Sequence, residues 1–122
     1  FKVVFDTGSG NLILPSASCD APACRSHARY DGNLSASAAP LAGAEADVQP
    51  GGPKRRDSVT ITFGTGQVTG LFVQDHVCLE GLCSTMRLIT ATNLSDEPFL
   101  SAPFDGILGL GLPQMCESQE FC

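Results

Sequence analysis

One carboxylate, that of Asp6, lies in a sequence context in which it could take part in catalysis. Asp6 begins the run Asp-Thr-Gly-Ser over residues 6–9, and this polar run lies between the apolar stretches 3–5 and 12–14. Asp-Thr-Gly is a common tripeptide, typical of an Asx-type turn with no function. The same turn can hold a carboxylate that takes a proton from a water molecule. Asp6 is therefore the candidate catalytic residue.

Apolar periodicity predicts strands on both sides of this turn and no long helix, so the expected fold class is all-β. The clearest signal is a hairpin: residues 58–63 alternate, 64–66 turn the chain and 67–73 return. Residues 33–57 are rich in Ala, Ser, Gly and Pro, which indicates an exposed loop. The other predicted elements are strands at 1–5, 12–14, 74–79, 84–91 and 104–111, with loops at 16–32 and 94–103.

The six cysteines fall in three close pairs, which indicates small disulfide loops made in an oxidising compartment. Zinc is the alternative, but neither His27 nor His76 has a knuckle spacing from these cysteines. We therefore expect disulfides and no metal site. The third pairing is the least determined, because either cysteine could bond to chain outside this sequence. The expected pairs are Cys19 with Cys24, Cys78 with Cys83, and Cys116 with Cys122.

Composition excludes two classes of function. Seven Lys and Arg against thirteen Asp and Glu give a net charge of -6, and phosphate contacts need clustered positive charge, so no nucleic-acid partner is expected. The basic run 54–56 is interpreted as a solvated loop tip, with a cleavage site as the alternative. No apolar stretch approaches the ~20 residues that span a bilayer.

Residues 33–35 and 93–95 match the N-glycosylation pattern, which agrees with a secretory route but also arises by chance.

In this order, the motifs resemble the N-terminal lobe of pepsin-like aspartic proteases. They cover nearly the whole chain outside residues 33–57, and several ordered motifs are more specific than any one alone. They are Val4–Ser9, Asn11–Leu12, Pro15–Ser16, the 19–24 cysteine loop with His27 and Tyr30, Ile61–Gly66, Gly70 with Asp75, and Ala102–Gly111. The resemblance implies an all-β, pepsin-like acid protease lobe with a flap hairpin. Residues 1–122 would form the N-terminal lobe only, as a piece of a longer protein.

The resemblance also implies roles around Asp6. In this family two aspartates, one from each lobe, share a proton and activate a water molecule. Asp6 matches the first of these aspartates. Thr7 and Gly8 match the turn that supports its carboxylate, and Ser9 matches the residue that hydrogen-bonds its outer oxygen.

Other polar residues have no catalytic role in this interpretation. Asp105 matches a structural position of the family rather than the second catalytic aspartate. The segment 107–109 resembles the piece that runs beside the catalytic turn and supports it. His27 and His76 are interpreted as surface or loop residues.

The hairpin over residues 58–70 resembles the flap that closes over the cleft. Phe63 stands where the family has a tyrosine, and Ile13 where it often has a tryptophan; those two family side chains hydrogen-bond to each other. Because both partners are replaced together, no polar group is left unpaired, and we interpret the change as a re-tuned apolar pocket. The predicted flap and substrate-binding residues are Phe63, Gly64, Thr65, Ile13, Phe99, Phe104 and Ile107; Phe104 and Ile107 are equally well explained as core residues.

The predicted function is an aspartic endopeptidase that is secreted or lies in an endomembrane compartment and needs no cofactor. Its partners would be a peptide or protein substrate and the missing C-terminal lobe, because no second Asp-Thr-Gly or Asp-Ser-Gly occurs. The isolated chain is therefore expected to be inactive. A homodimer is an alternative, although the long region 75–111 resembles the two-lobed type. A second alternative is a catalytically inactive pepsin-like binding or structural subunit within a larger assembly.

Overall fold

Strands dominate the architecture, as expected for the all-β class. The computed structural model describes residues 1–41 and 58–116. No helix among these residues has the length and apolar character needed to cross a membrane. The strands are β1 (Val3–Asp6), β2 (Leu12–Pro15), β3 (Ala39–Pro40), β4 (Ser58–Phe63), β5 (Gly66–Leu79), β6 (Leu82–Leu94) and β7 (Gly106–Gly109); the helices are the single turns α1 (Pro22–Arg25) and α2 (Asp96–Phe99).

The predicted hairpin over residues 58–73 is confirmed. β4 and β5 pair antiparallel from Ser58 opposite Leu71 to Phe63 opposite Gly66. The turn needs Gly64, whose φ of 56° lies in the left-handed region that glycine adopts at little cost. The alternation also holds, because Ile61 is buried on one face while the threonines on either side of it are exposed.

The predicted separate strand at 74–79 is wrong, because β5 continues through it as one strand of 14 residues. Gly70 does not end the strand; the register with β6 shifts between Thr69 and Gly70, as in a β-bulge. The chain reverses only at Glu80 and Gly81, which both have positive φ values, 46° and 87°. Such a two-residue turn matches the twist of the two strands that it joins.

Two predicted loops contain short regular structure. Residues 16–32 include α1, and residues 94–103 include α2. A single helical turn has too few residues to show a 3.6-residue period, so the pattern could not reveal either helix. The loop predicted at 33–57 is described only to residue 41, where a 3₁₀ turn ends at Leu34 and β3 pairs with β5. Residues 42–57, with the basic run 54–56, lie outside the described residues.

The sheet order places the last strand of the chain beside the first. β7 pairs parallel with β1 and antiparallel with β2, and β2 pairs parallel with β6. The order across the sheet is β1-β7-β2-β6-β5-β3, with β4 also on β5. β7 therefore lies between the two strands that flank the Asp6 turn.

Two apolar clusters pack on opposite faces of β2. Ile13 belongs to the larger cluster with Ile89 and Phe99, while Leu12 and Leu14 belong to the smaller cluster. Because alternate side chains of a strand point to opposite faces, both faces of β2 are covered, and all four of its residues are buried. β2 is thus a rigid base for the turn that precedes it.

Close packing of β7 predicts that Gly109→Ala destabilises the protein. An added Cβ would lie 2.5 Å from the Asn11 backbone nitrogen and 2.6 Å from the Ser9 carbonyl oxygen, so backbone must move. Overpacking of this kind costs about 1–3 kcal/mol, and a lower urea midpoint of the full-length protein would show it. Gly32→Ala is the matched control, since its nearest atom would be 3.6 Å away. Equal midpoints for the two variants would contradict the expected effect.

Candidate active site

The Asp6 carboxylate is held at both oxygens by the turn that follows β1. The backbone N–H of Gly8 donates to Oδ1 at 2.9 Å, and the Ser9 hydroxyl donates to Oδ2 at 2.8 Å. Asp6 itself is half-buried, so its carboxylate is fixed in direction and still reachable. Thr7 is exposed at the tip of this turn.

Backbone hydrogen bonds from the end of β7 fix the turn from the other side. Leu110 N–H donates to the Asp6 carbonyl at 2.8 Å, and Gly111 N–H donates to the Ser9 carbonyl at 2.7 Å. Gly109 N–H donates to the Asn11 carbonyl at 3.0 Å. This geometry matches the supporting segment expected at residues 107–109, and it extends two residues beyond it. The position of Asp6 therefore depends on chain about 100 residues later.

An apolar pocket adjoins β2 and β7, and four of the predicted substrate-binding residues line it. They are Ile13, Phe99, Phe104 and Ile107. Ile13, Phe99 and Ile107 are buried within the larger apolar cluster, and Phe104 packs against it. Pattern analysis missed Val68 and Leu94, which also line the pocket. Their apolar character alone does not distinguish a pocket wall from ordinary core.

Phe63 lies at the end of β4 and packs edge-to-face on Phe99. The ring centroids are 6.4 Å apart with an interplanar angle of 88°, an arrangement that aromatic pairs favour. Gly64 and Thr65 follow at the exposed hairpin tip. The structure thus joins Phe63 to the pocket wall through an apolar contact.

Comparison with known proteins now identifies the class of chain. The model of the family described as eukaryotic aspartyl protease matches residues 1–121. The chain belongs to this family.

Individual relatives agree with the family match. The chain is 40% identical over 116 residues to renin of Echis ocellatus, 38% identical over 119 residues to pepsin A of Canis lupus familiaris, and 38% identical over 115 residues to renin of Canis lupus familiaris. These alignments cover 93%, 97% and 93% of this chain, but only 26%, 27% and 25% of the relatives. The chain therefore spans about a quarter of the length of the curated relatives it matches.

Ser95 fastens the start of β5 in this aspartyl protease chain. Its backbone N–H donates to the Gln67 carbonyl at 3.0 Å, and its hydroxyl accepts from the Gln67 N–H at 2.9 Å. The same hydroxyl donates to the Glu97 carbonyl at 2.6 Å. The turn end of the β4–β5 hairpin is thus tied to the segment that carries Phe99. Sequence reasoning missed Ser95, because a lone serine after a strand carries no distinctive signal.

His27 is a structural residue rather than a free loop residue. Its Nδ1 lies 2.6 Å from the Ala23 carbonyl oxygen, and its Nε2 lies 2.8 Å from the Ala102 carbonyl oxygen. A neutral imidazole has one N–H, so only the doubly protonated ring donates to both. The Ala102 hydrogen bond, then the Ala23 hydrogen bond, raises the pKa of His27, with a smaller contribution from Asp105 and against the opposing effect of burial.

Asp105 completes this cluster without touching Asp6. Its Oδ2 accepts from the Lys2 N–H at 2.8 Å, and its Oδ1 accepts from the Ala28 N–H at 3.0 Å. Burial opposes the charge of Asp105, but these two hydrogen bonds and the nearby His27 bring its net pKa below the ordinary value. The carboxylate joins the start of the chain to the segment after α1, so its contacts are structural.

Two of the three predicted disulfides are confirmed. Cys19 and Cys24 are bonded across α1 and fully buried, while Cys78 and Cys83 are bonded across the β5–β6 hairpin and exposed. Cys116 is also disulfide-bonded. Its predicted partner, residue 122, lies outside the described residues.

His76 lies beside the exposed disulfide. The ligand atoms of His76, Cys78 and Cys83 all lie within 4.8 Å of one another, a closeness that the linear spacing did not suggest. Both sulfurs are bonded to each other. Three donor residues are thus brought together, but the two sulfurs that a metal would need as thiolates are committed to the disulfide.

The contacts of His27 predict a pH-dependent contribution to stability. The folded-state pKa lies above the ordinary 6.5, so the stabilisation is fully present below pH 6.5 and is lost as the pH rises through the folded-state pKa. His27→Gln should therefore lower the urea midpoint of the full-length protein most at acidic pH. The measurement is a midpoint series from about pH 5 to about pH 9, with His76→Gln as the control. A His27→Gln deficit of constant size at every pH would rule this interpretation out.

Proposed function

We propose that residues 1–122 are the N-terminal lobe of an aspartic endopeptidase in which Asp6 is one carboxylate of a catalytic pair. The observation that carries the proposal is the half-buried Asp6, held by Gly8 at Oδ1 and by Ser9 at Oδ2 in a turn that β7 fixes from behind. Membership of the aspartyl protease family supports the same assignment. The second carboxylate would come from chain outside this sequence.

The proposed chemistry is hydrolysis of a peptide bond by an activated water molecule. Two carboxylates a few ångströms apart cannot both ionise readily, so the pair holds one proton between them. The ionised member takes a proton from the water, whose oxygen attacks the peptide carbonyl carbon. The protonated member donates to the developing oxyanion, and the amine leaves with a proton as the tetrahedral intermediate collapses.

The chain's own residues would orient Asp6 for this reaction. The Ser9 hydroxyl and the Gly8 N–H both donate to the carboxylate, so they keep its direction fixed. Because the turn is also tied to Leu110 and Gly111, little reorganisation is needed when substrate binds. Preorganisation of the Asp6 carboxylate would be the main contribution of this lobe to the reaction.

The substrate class that fits is a peptide with a bulky apolar side chain. Ile13, Phe99 and Ile107 give the pocket an apolar wall, and His27 and Asp105 also line it. Its volume of about 10 Å³ must widen for a side chain to enter. The exposed tip at Gly64 and Thr65 would place backbone donors and acceptors over the bound peptide. Apolar burial supplies binding energy, and the backbone contacts set the register of the peptide.

The two described disulfides indicate an oxidising compartment. We propose a secreted or endomembrane protein on this basis. An acidic compartment also suits a reaction in which a carboxylate pair holds a proton.

Replacing Asp6 tests the function directly. Asp6→Asn in the full-length protein should lower kcat for peptide cleavage at acidic pH by about 10²–10⁴-fold, because the amide cannot take a proton from water. A statine-type transition-state mimic should block the parent enzyme. Asp20→Asn is the matched control, since this carboxylate is exposed and its described contact is an ion pair with Arg25.

Two outcomes would contradict the endopeptidase proposal. One is an Asp6→Asn variant that cleaves at the rate of the parent. The other is a full-length protein in which the residue facing Asp6 is not a carboxylate; this result would favour the inactive binding subunit.

Phe63→Tyr tests the apolar anchoring of the flap. A tyrosine hydroxyl at this position would lack the tryptophan partner, because Ile13 has no polar atom, so kcat/KM should change by less than about threefold. Steady-state cleavage of an apolar peptide substrate by the full-length protein measures the change. The double change Phe63→Tyr with Ile13→Trp is the comparison. A large gain from Phe63→Tyr alone would contradict the re-tuned pocket.

A further inference from the structure

The chain contains the same acceptor triplet twice. Asn-Leu-Ser occurs at residues 33–35 and again at 93–95. Because the two triplets have identical residues, any difference between them as sites for N-linked glycan must come from their surroundings. An occupied triplet belongs on a surface loop, where a bulky, hydrated sugar meets no packed structure.

The first triplet has the surroundings of an acceptor. Asn33 is exposed in the 3₁₀ turn Gly32–Leu34, and the turn is held through its backbone by an N–H donated to Asp31 Oδ1 at 2.9 Å. Leu34 is 86% exposed, so no core contact must break for the triplet to be reached. The Ser35 hydroxyl hydrogen-bonds to the Asp75 carboxylate and lies 3.4 Å from the Ser37 hydroxyl, but Ser35 follows the 3₁₀ turn and takes part in no strand.

Asn33 also lies on a polar groove of about 550 Å³. Its wall includes Ser16, Ser18, Asp31 and Thr90. Hydroxyl and carboxylate groups of this kind can hydrogen-bond to the hydroxyls of a sugar attached beside them. The groove therefore offers favourable contacts to a glycan on Asn33.

The second triplet is built into the sheet. Asn93 is exposed, as Asn33 is, but it pairs with Thr69 in the β5–β6 ladder, and Leu94 is buried at 7% exposure in the larger apolar cluster. The Ser95 hydroxyl holds both the Gln67 N–H and the Glu97 carbonyl. An enzyme that needs this hydroxyl and an open backbone would have to pull the strand out of the sheet and Leu94 out of the core.

We propose that Asn33 carries an N-linked glycan and that Asn93 does not. The side-chain amide nitrogen of Asn33 forms a bond to the anomeric carbon of a lipid-linked donor oligosaccharide. The amide loses one proton, and the lipid pyrophosphate departs as the leaving group. The two described disulfides indicate the oxidising compartment in which such a donor acts.

Trypsin separates the two triplets, which makes the test direct. Cleavage after Arg29 and Lys54 releases residues 30–54 with Asn33, whereas Asn93 lies in the peptide that begins at Leu88. The full-length protein is secreted from cultured eukaryotic cells, digested and analysed by mass spectrometry. Treatment with peptide-N-glycosidase should convert the modified Asn33 to aspartate and remove the sugar mass from residues 30–54 only.

Matched variants make the result specific. Asn33→Gln should remove the glycan entirely, whereas Asn93→Gln should leave the glycan content unchanged. Ser35→Thr keeps the acceptor pattern and should keep the glycan. Unmodified Asn33 in a host that glycosylates a control secreted protein would overturn the assignment, and a glycan on Asn93 would overturn the distinction drawn from the sheet.

Discussion

The candidate site depends on one arrangement: β7 runs between β1 and β2 and meets the Asp6 turn with its own backbone. Leu110 and Gly111 donate to the carbonyls of Asp6 and Ser9, and Gly109 donates to Asn11. These contacts bring β7 so close to the backbone of residues 9–11 that no space is left for a Cβ at Gly109. The position of the Asp6 carboxylate in the turn therefore requires a glycine at position 109 of β7.

Elements farther from Asp6 also support this arrangement. β2 is covered on both faces, so the strand that leaves the turn cannot shift. The hairpin of β4 and β5 is held close to its turn, by the contacts of Gln67 with Ser95 and by the packing of Phe63 on Phe99. Support therefore lies under the carboxylate and on both sides of the hairpin turn, while Gly64 and Thr65 between them are exposed.

Sequence patterns predicted the parts whose signal is local. Alternation over 58–63 and a glycine turn are enough to specify a hairpin, and cysteines five residues apart bond to each other. The continuity of β5 from residues 67–73 into residues 74–79 was missed, because no local pattern distinguishes one long strand from two short ones, and the pairing with β6 decides between them.

Contacts between distant segments left no local pattern. His27 contacts Ala23 in its own loop and Ala102 far along the chain. The sequence around a histidine in a polar loop is the same whether or not such distant partners exist. Ser95 and the groove beside Asn33 are equally invisible, since they arise from the packing of several segments. Only the ordered family resemblance gave the position of β7 relative to Asp6, because no period or composition encodes it.

The separation in sequence between Asp6 and Leu110 has a consequence for the order of synthesis and folding. The β5–β6 hairpin closes through two residues and the β4–β5 hairpin is similarly local, so both can form while the chain is still being made. The Asp6 turn must wait until residue 111 is available, because Leu110 and Gly111 donate to the carbonyls of Asp6 and Ser9. Closing so long a loop is slow and carries a larger entropic cost than closing a hairpin. We therefore expect a nascent chain to form the β4–β5 and β5–β6 hairpins before it forms the Asp6 turn.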